Sequence, residues 1–233
     1  MTQYALAEHE FRTPKGNAAK FQYRQDTNDW NTLTACLTED EYGLRPLAIS
    51  GRAVDIGGYL GGVGIGLAID NPGLTVTIIE PVPSNVALIR WAIDANGLGD
   101  RIELLDMAAG GPYDTTTIIS FAYRGSPALE HHAFVGNSTL AGGISPVEHS
   151  ERVVSCVALG DLGAIDFLKI DCEGCEWNVL MDPAAARIGR IHGEWHNTGG
   201  HSQGDILALL GASHDVTFSG PVEGPGGFVA VQR

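Results

Sequence analysis

Apolar residues along this chain come in short runs separated by turns rich in glycine and proline. Arg52 to Ile56, Leu74 to Ile79, Ile102 to Leu105, Ile165 to Ile170 and Ile188 to Glu194 have the length and composition of buried strands. Between them the spacing changes to that of helices: about 62 to 70 after the glycines, Pro83 to Asn96 with Val86, Ile89 and Ile93 inward, about Cys175 to Met181, and Gln203 to Leu210. This alternation predicts a doubly wound, mainly parallel α/β sheet. Asp215 to Phe218 and Gly227 to Val231, joined through Gly220-Pro221 and Gly224-Pro225-Gly226, predict a closing antiparallel pair.

The two ends of the pattern differ from its middle. Residues 1 to about 20 show no periodicity and read as a loosely packed arm. From Thr27, where Thr27 or Asp29 can cap, Trp30, Leu33 and Leu37 recur at helical spacing until Gly43 and Pro46. The expected organisation is an N-terminal arm and helix over 1–48, packed on one main domain over 49–233. Between Gly110 and Gly160 the rhythm breaks. Strands at Thr116 to Ala122 and Arg152 to Val157 flank Tyr123 to Ser145, which is rich in Gly, Ser, His and Pro. This insertion, about 111–158, is where substrate contacts are expected, because loops carry specificity on a rigid scaffold.

The first strand passes into its helix through Val54-Asp55-Ile56-Gly57-Gly58-Tyr59-Leu60-Gly61-Gly62-Val63-Gly64. Glycines there allow φ > 0 and let a ligand approach the main chain, with amides at the helix start facing it. The next strand ends in Glu80, roughly twenty residues on, where a carboxylate can bond the hydroxyls of a ribose. A dinucleotide would place its pyrophosphate at this turn, yet the G-x-G-x-x-G pattern is not completed in register with the strand end. Asp55 would also repel phosphate. The amino group and sulfonium of S-adenosylmethionine are positively charged, so Asp55 suits that cofactor better.

Composition narrows the partners. The chain has 233 residues, enough for one substantial α/β domain, and 14 basic against 28 acidic side chains give a formal net charge of -14. Such a protein lacks the basic surface that phosphate backbones demand, so no nucleic-acid partner is expected. Met1 to Gly16 is polar and mixed in charge, and no apolar run reaches spanning length, so the expectation is a soluble, cytoplasmic protein without a membrane partner. The four cysteines, Cys36, Cys156, Cys172 and Cys175, are too few and too unevenly placed for a disulfide framework, and free thiols are expected. Cys172-x-x-Cys175 has no second C-x-x-C or spaced His pair beside it, so neither a zinc site nor a redox centre is expected there.

Candidate chemistry gathers at later strand ends. In Asp166-Phe167-Leu168-Lys169-Ile170-Asp171-Cys172-Glu173-Gly174-Cys175-Glu176, Lys169 interrupts an apolar strand, and Asp171 and Glu173 stand at its C-terminal end, where ligands bind in open α/β sheets. These groups can orient and deprotonate a substrate. The structural alternative has Lys169 neutralising a carboxylate, while Glu173 and Glu176 favour the start of the next helix. His192, Glu194 and His196 share one face if their segment stays extended, but period-two spacing matches a compact metal set poorly, and no metal centre is expected. His196 reads as a hydrogen-bonding or basic group. Asp106, ending the third strand, either accepts a bond from an adenine amino group or caps a turn. His131-His132 reads as solvent-exposed.

Together these segments resemble the FkbM-type S-adenosylmethionine-dependent methyltransferases. The residues that carry the resemblance are Val54-Asp55-Ile56-Gly57-Gly58-x-x-Gly61, Ile79-Glu80-Pro81, Leu168-Lys169-Ile170-Asp171-x-Glu173-Gly174-x-Glu176 and Glu194-x-His196, with Tyr23-Arg24-x-x-Thr27-x-Asp29 and Glu41-Tyr42 similar to the family's lead-in. The resemblance covers roughly residues 22 to 196. Tyr59 stands where the family usually has a small polar residue, and Cys172 and Cys175 fill positions that are usually small and apolar. The resemblance implies a class I, Rossmann-like fold. It also implies S-adenosylmethionine as cofactor, with Gly57, Gly61 and Asp55 at the methionine end, Gly58 in the same turn, Glu80 on the ribose and Asp106 on the adenine side. The implied acceptor is a hydroxyl on a natural product or sugar. A protonated alcohol is a poor nucleophile, so a base is expected, with Asp171 or His196 in that role beside Glu173 and Lys169. N-methylation of a small molecule or peptide and nicotinamide-dependent oxidation are the alternatives. The sequence leaves the oligomeric state open, a homodimer being one option.

Overall fold

The computed structural model describes residues 5–110, 115–122, 133–135, 148–221 and 225–233. The N-terminal segment is not a loose arm. It forms an antiparallel hairpin of β1 (Leu6–Arg12) and β2 (Ala18–Arg24). Every second residue faces inward, so Phe11, Ala19 and Phe21 are buried in a period too short to stand out before the pairing is known. Phe11 packs edge-on against Phe21, and the hairpin is tied to the main domain through Thr13 and Asn17 on Asp70.

The expected helix follows as α1 (Asp29–Leu33), which runs into a π-helical turn, Thr34–Glu39, closed by Asp40 in the left-handed region. Leu33 and Leu37 are buried under it. The apolar runs then form β3 (Gly51–Ile56), α2 (Gly62–Asp70), β4 (Leu74–Ile79), α3 (Pro83–Ala95) and β5 (Ile102–Leu105). Pro83 sits in the first turn of α3, where its missing N–H costs nothing, and Val86, Ile89 and Ile93 face inward as their spacing predicts.

The insertion builds its own sheet from β6 (Ala108–Ala109), β7 (Thr115–Ala122), β8 (Ala133–Val135) and β9 (Glu148–Val157), in the order β6-β9-β7-β8. β9 is longer than the strand expected from Arg152. Most of Tyr123 to Ser145, His131-His132 included, lies outside the described residues. The main pattern resumes with β10 (Phe167–Ile170), α4 (Glu176–Leu180), β11 (Arg190–Trp195), α5 (Gln203–Leu210), β12 (His214–Ser219) and β13 (Gly226–Gln232). Ser202 and Asp205 form a capping box at the start of α5.

The central sheet has seven strands in the order β12-β13-β11-β10-β3-β4-β5. β5, β4, β3, β10 and β11 are parallel, and β13 slots between β11 and β12, antiparallel to both. Successive residues serve opposite cores: Ala53 and Phe167 pack with α2 and α3, Val54 and Leu168 with α4 and α5. Burial on both faces puts apolar residues at successive positions of these strands. The chain leaves β3 to one side of the sheet and returns at β10 on the other, so the crevice between their C-terminal ends is a topological switch point. Among the described residues no helix is long and apolar enough to cross a membrane.

Candidate active site

The turn after β3 lies at this switch point. Gly57 takes φ +75°, and a Cβ there would sit 1.7 Å from the carbonyl oxygen of Asp171, so the close passage of two chain segments admits only glycine. The amides of Gly57 and Gly58 both donate to the carbonyl of Ile79, which fastens the turn to the end of β4.

Asp55 lies beneath this turn rather than in the cleft above it. It is fully buried; its Oδ2 accepts the amide of Gly64 at 2.8 Å and its Oδ1 faces the Lys169 ammonium at 3.3 Å. Lys169 in turn donates to the carbonyls of Gly57 at 2.8 Å and Ile56 at 3.3 Å. Burial opposes its charge, but Asp55 and Asp171 outweigh that and hold its pKa above the ordinary value. Lys169 is therefore a permanent cation that straps the glycine turn, which is the structural alternative read from the sequence.

Glu80 ends β4 and is 4% exposed. Its Oε1 accepts the amide of Val82 at 2.8 Å and Asn85 Nδ2 at 3.2 Å, and its Oε2 the amide of Tyr59 at 2.8 Å. Burial nonetheless pushes its pKa up to about 7. Behind it Arg24 grips Asp29 with Nε on Oδ2 at 2.8 Å and Nη2 on Oδ1 at 3.0 Å, and also reaches Asn85 at 2.9 Å. Tyr59, at φ +50°, donates its hydroxyl to Asp29 at 2.7 Å. The Arg-x-x-Thr-x-Asp lead-in thus stands behind the cleft wall, and Tyr59, which lines the cleft, is the side chain that joins it to the glycine turn.

Between these groups opens a cleft. Ile56, Ile79, Pro81, Ala108 and Ala109 supply its apolar lining, with Glu80, Asp171 and Glu173 as its carboxylates and no lysine or arginine among the described lining residues. Gly57 and Tyr59 line it too, whereas Gly58 and Gly61 act behind it by packing against Ile78, Ile65 and Ile89. Asp106 is exposed just after β5, two residues before Ala108, which lines the cleft with Ala109.

The opposite wall is the turn between β10 and α4. Asp171 Oδ2 accepts the hydroxyl of Tyr42 at 2.8 Å. Glu173, at φ +54°, places Oε2 3.3 Å from His196 Nε2, while His196 Nδ1 contacts Glu176 Oε1 at 2.9 Å. Glu176 is fully buried and also accepts the amides of Cys172 at 3.1 Å and Gly174 at 2.9 Å. Burial would lower the pKa of His196, but Glu176 first and Glu173 and Asp171 after it raise it to about 10. That shift favours the doubly protonated ring, in which Nδ1 faces Glu176 and Nε2 faces Glu173.

His192 does not join it: His192 Nδ1 donates to the Tyr42 carbonyl at 2.6 Å, and the strand has ended before His196. Ligand atoms of Asp171, Glu176 and His196 lie within 4.8 Å of one another, but those of Glu176 and His196 are engaged with each other and with loop amides. Glu194, next in register to Asp171 across β10 and β11, is half-buried. Burial, then repulsion from Asp171, pushes its carboxyl up to about 7 against the opposing pull of His196.

One sequence expectation is overturned here. Cys172 and Cys175 are not free thiols; they form a disulfide, while Cys36 and Cys156 are free. Positive φ at both Glu173 and Gly174 curls the turn until the two Cα atoms are 5.4 Å apart, within bridging range. Tyr42, Tyr59 and Glu194 were visible in the sequence only as members of motifs. Their roles depend on contacts that no local spacing reveals.

Strand order, switch-point cleft and acidic lining define a class I, Rossmann-like methyltransferase. The chain matches the model of the methyltransferase FkbM domain over residues 59–218, more than half its length, and it belongs to that family of S-adenosylmethionine-dependent methyltransferases. No match was found among curated proteins. Among solved structures the chain is similar to the precorrin-6Y C5,15-methyltransferase of Geobacter metallireducens, at 13% identity and a TM-score of 0.50 over 96% of this chain and 94% of that one. It is similar also to the proposed transferase PH0793 of Pyrococcus horikoshii, at 12% identity and a TM-score of 0.50 over 96% and 70%. These likenesses speak to fold alone.

Proposed function

We propose that this methyltransferase places a methyl group on a hydroxyl of a small molecule, a natural product or a sugar. The observation that carries this reading is the pair of carboxylates on adjacent parallel strands, Asp171, which lines the cofactor cleft, and Glu194, next in register to it. The cleft fits S-adenosylmethionine by the chemistry of its lining: carboxylates face a cationic sulfonium and amino group, and no basic side chain among the described lining residues invites a pyrophosphate. When bound, that cofactor supplies an electrophilic methyl group on sulfur.

The chain's own residues do the rest. Glu80, with three of its acceptor sites filled by Tyr59, Val82 and Asn85, keeps one for ribose hydroxyls. Lys169 and Asp55 hold the glycine turn rigid from below, so that the acceptor is aligned against a fixed partner. Asp171 takes the hydroxyl proton as the new bond forms, a role typically worth ~10²–10⁴-fold. Glu194 lies close enough to Asp171 for their charges to repel, and it can receive that proton near neutral pH.

Calorimetry tests the cofactor site. S-adenosylhomocysteine should bind and NAD should not, and Glu80→Ala should weaken binding by about 1–3 kcal/mol. Labelled S-adenosylmethionine offered with a panel of hydroxylated and amino-bearing small molecules tests the acceptor: label on oxygen, retained in the presence of a chelator, is the expected result. Label only on nitrogen would overturn the hydroxyl assignment.

A further inference from the structure

The Cys172–Cys175 bridge has a position that its contribution to the fold does not explain. The stabilisation a disulfide gives by restraining the unfolded chain grows with the loop it closes, and this one links residues only three apart in sequence. It therefore shapes a turn rather than stapling a domain. That turn carries Asp171 and Glu173 on one side, and both cysteines line the cleft. Its backbone also touches the cofactor turn directly. The Asp171 carbonyl and the Cys172 Cα crowd the α-carbon of Gly57 so closely that no Cβ fits there.

The turn has an unfavourable backbone. Glu173 takes φ +54° and Gly174 φ +111°, and a non-glycine residue in the left-handed region persists only where its surroundings hold it. The bonds from the amides of Cys172 and Gly174 to Glu176, the contact of Glu173 with His196 and the disulfide hold it. Cys172 is half-buried at the cleft wall, whereas Cys175 is 1% exposed, so a reagent in the cleft reaches the Cys172 sulfur first.

We propose that Cys172 and Cys175 are a thiol–disulfide exchange site, and that a dithiol acting on it switches the cofactor cleft from a tight to a weak binding state. A thiolate of the dithiol attacks Cys172 Sγ. The Cys172–Cys175 bond breaks, a mixed disulfide forms, and Cys175 leaves as a thiolate that takes up a proton. The second thiol of the reductant then attacks the mixed disulfide and releases Cys172, which is protonated in turn. Two electrons and two protons pass to the enzyme, and the dithiol ends as a disulfide. Without the bridge, the turn loses its one covalent restraint, and Asp171, Glu173 and the packing on Gly57 relax together. This inference rests on the reading of the cleft as the S-adenosylmethionine site.

The test compares the full chain, oxidised and after treatment with dithiothreitol, by calorimetry with S-adenosylhomocysteine and by counting alkylated cysteines in the denatured protein by mass. Oxidised protein should alkylate at two cysteines, Cys36 and Cys156, and reduced protein at all four. Reduction should weaken S-adenosylhomocysteine binding by about fivefold or more and reoxidation should restore it. By reciprocity, saturating S-adenosylhomocysteine should shift the exchange equilibrium towards the disulfide by the same factor. Cys172→Ser with Cys175→Ser should bind as the reduced enzyme does and ignore dithiothreitol. Four alkylated cysteines without reductant, equal affinity in both states, or a dithiothreitol effect that survives in the double variant would each overturn the switch alone. No binding in either state would overturn the cleft assignment and the switch with it.

Discussion

The hydroxyl of Tyr42 donates to Asp171 Oδ2 at 2.8 Å across a separation of 129 residues. The bond joins the segment before β3 to the carboxylate proposed to take the substrate proton, and it leaves the other oxygen of Asp171 for the acceptor. Asp171→Asn should keep this geometry and lose the base. Its kcat is expected to fall by about tenfold or more, with the affinity for S-adenosylhomocysteine little changed. Tyr42→Phe should cost less, about 1 kcal/mol in activation free energy. Single-turnover rates with calorimetry on both variants separate the two effects. Full activity in Asp171→Asn would remove it from the chemistry.

The pH dependence of turnover follows from two neighbours. Glu194 is held up to about 7 by burial and by Asp171, so it accepts protons only above that region. His196 is raised to about 10, where loss of its proton undoes the clamp on Glu176 and Glu173. Activity is therefore expected to rise through about pH 7 and fall through about pH 10. Glu194→Gln should weaken the acidic limb, to which Glu80, also held up to about 7, contributes through cofactor binding, and leave the alkaline one in place. An unchanged acidic limb in that variant would assign it to another group.

His196 also contributes to stability, with a definite sign. Its folded pKa lies above its ordinary 6.5, so the folded protein binds a proton that the unfolded chain releases between these values. The stabilisation is fully present below about 6.5 and is lost as pH rises through about 10. His196→Gln leaves the fully buried Glu176 without its cation and should cost about 3 kcal/mol at neutral pH. Urea unfolding should show this gap narrowing as pH approaches about 10. A gap that stayed constant with pH would mean that His196 acts by packing alone.

Glycine contributes differently at two positions with similar backbones. Gly16 has φ +88° and open space around it, while Gly57 has φ +75° and a carbonyl oxygen where a Cβ would go. Gly16→Ala should therefore cost about 1 kcal/mol of conformational preference and leave ligand binding intact. Gly57→Ala should displace the Asp171 turn and abolish measurable S-adenosylhomocysteine binding. Thermal unfolding and calorimetry on the two variants make the comparison. Normal binding by Gly57→Ala would show that the two turns are independent.

The parallel sheet was legible in the sequence because β3, β4 and β10 are buried on both faces. Apolar residues then stand on both faces, and each strand ends where the backbone turns at Gly57, Glu80 or Asp171. Pro83 and the inward spacing of Val86, Ile89 and Ile93 marked α3 for an equally local reason. The candidate site was legible as far as strand ends determine it, since Asp171, Glu173 and Glu80 had to emerge on one edge of the sheet. Other features had no local signature. The β1–β2 hairpin buries only alternate residues, and the antiparallel pair was readable while the insertion of β13 between β11 and β12 was not, because strand neighbours are chosen across the whole chain. Only the tertiary structure aimed Asp55 under the turn towards Lys169, paired both nitrogens of His196 with carboxylates and closed Cys172 onto Cys175. A sequence states which charges and thiols a chain carries, but their pKa, partners and redox state follow from burial and from distances of a few ångströms, which exist only once distant segments have packed.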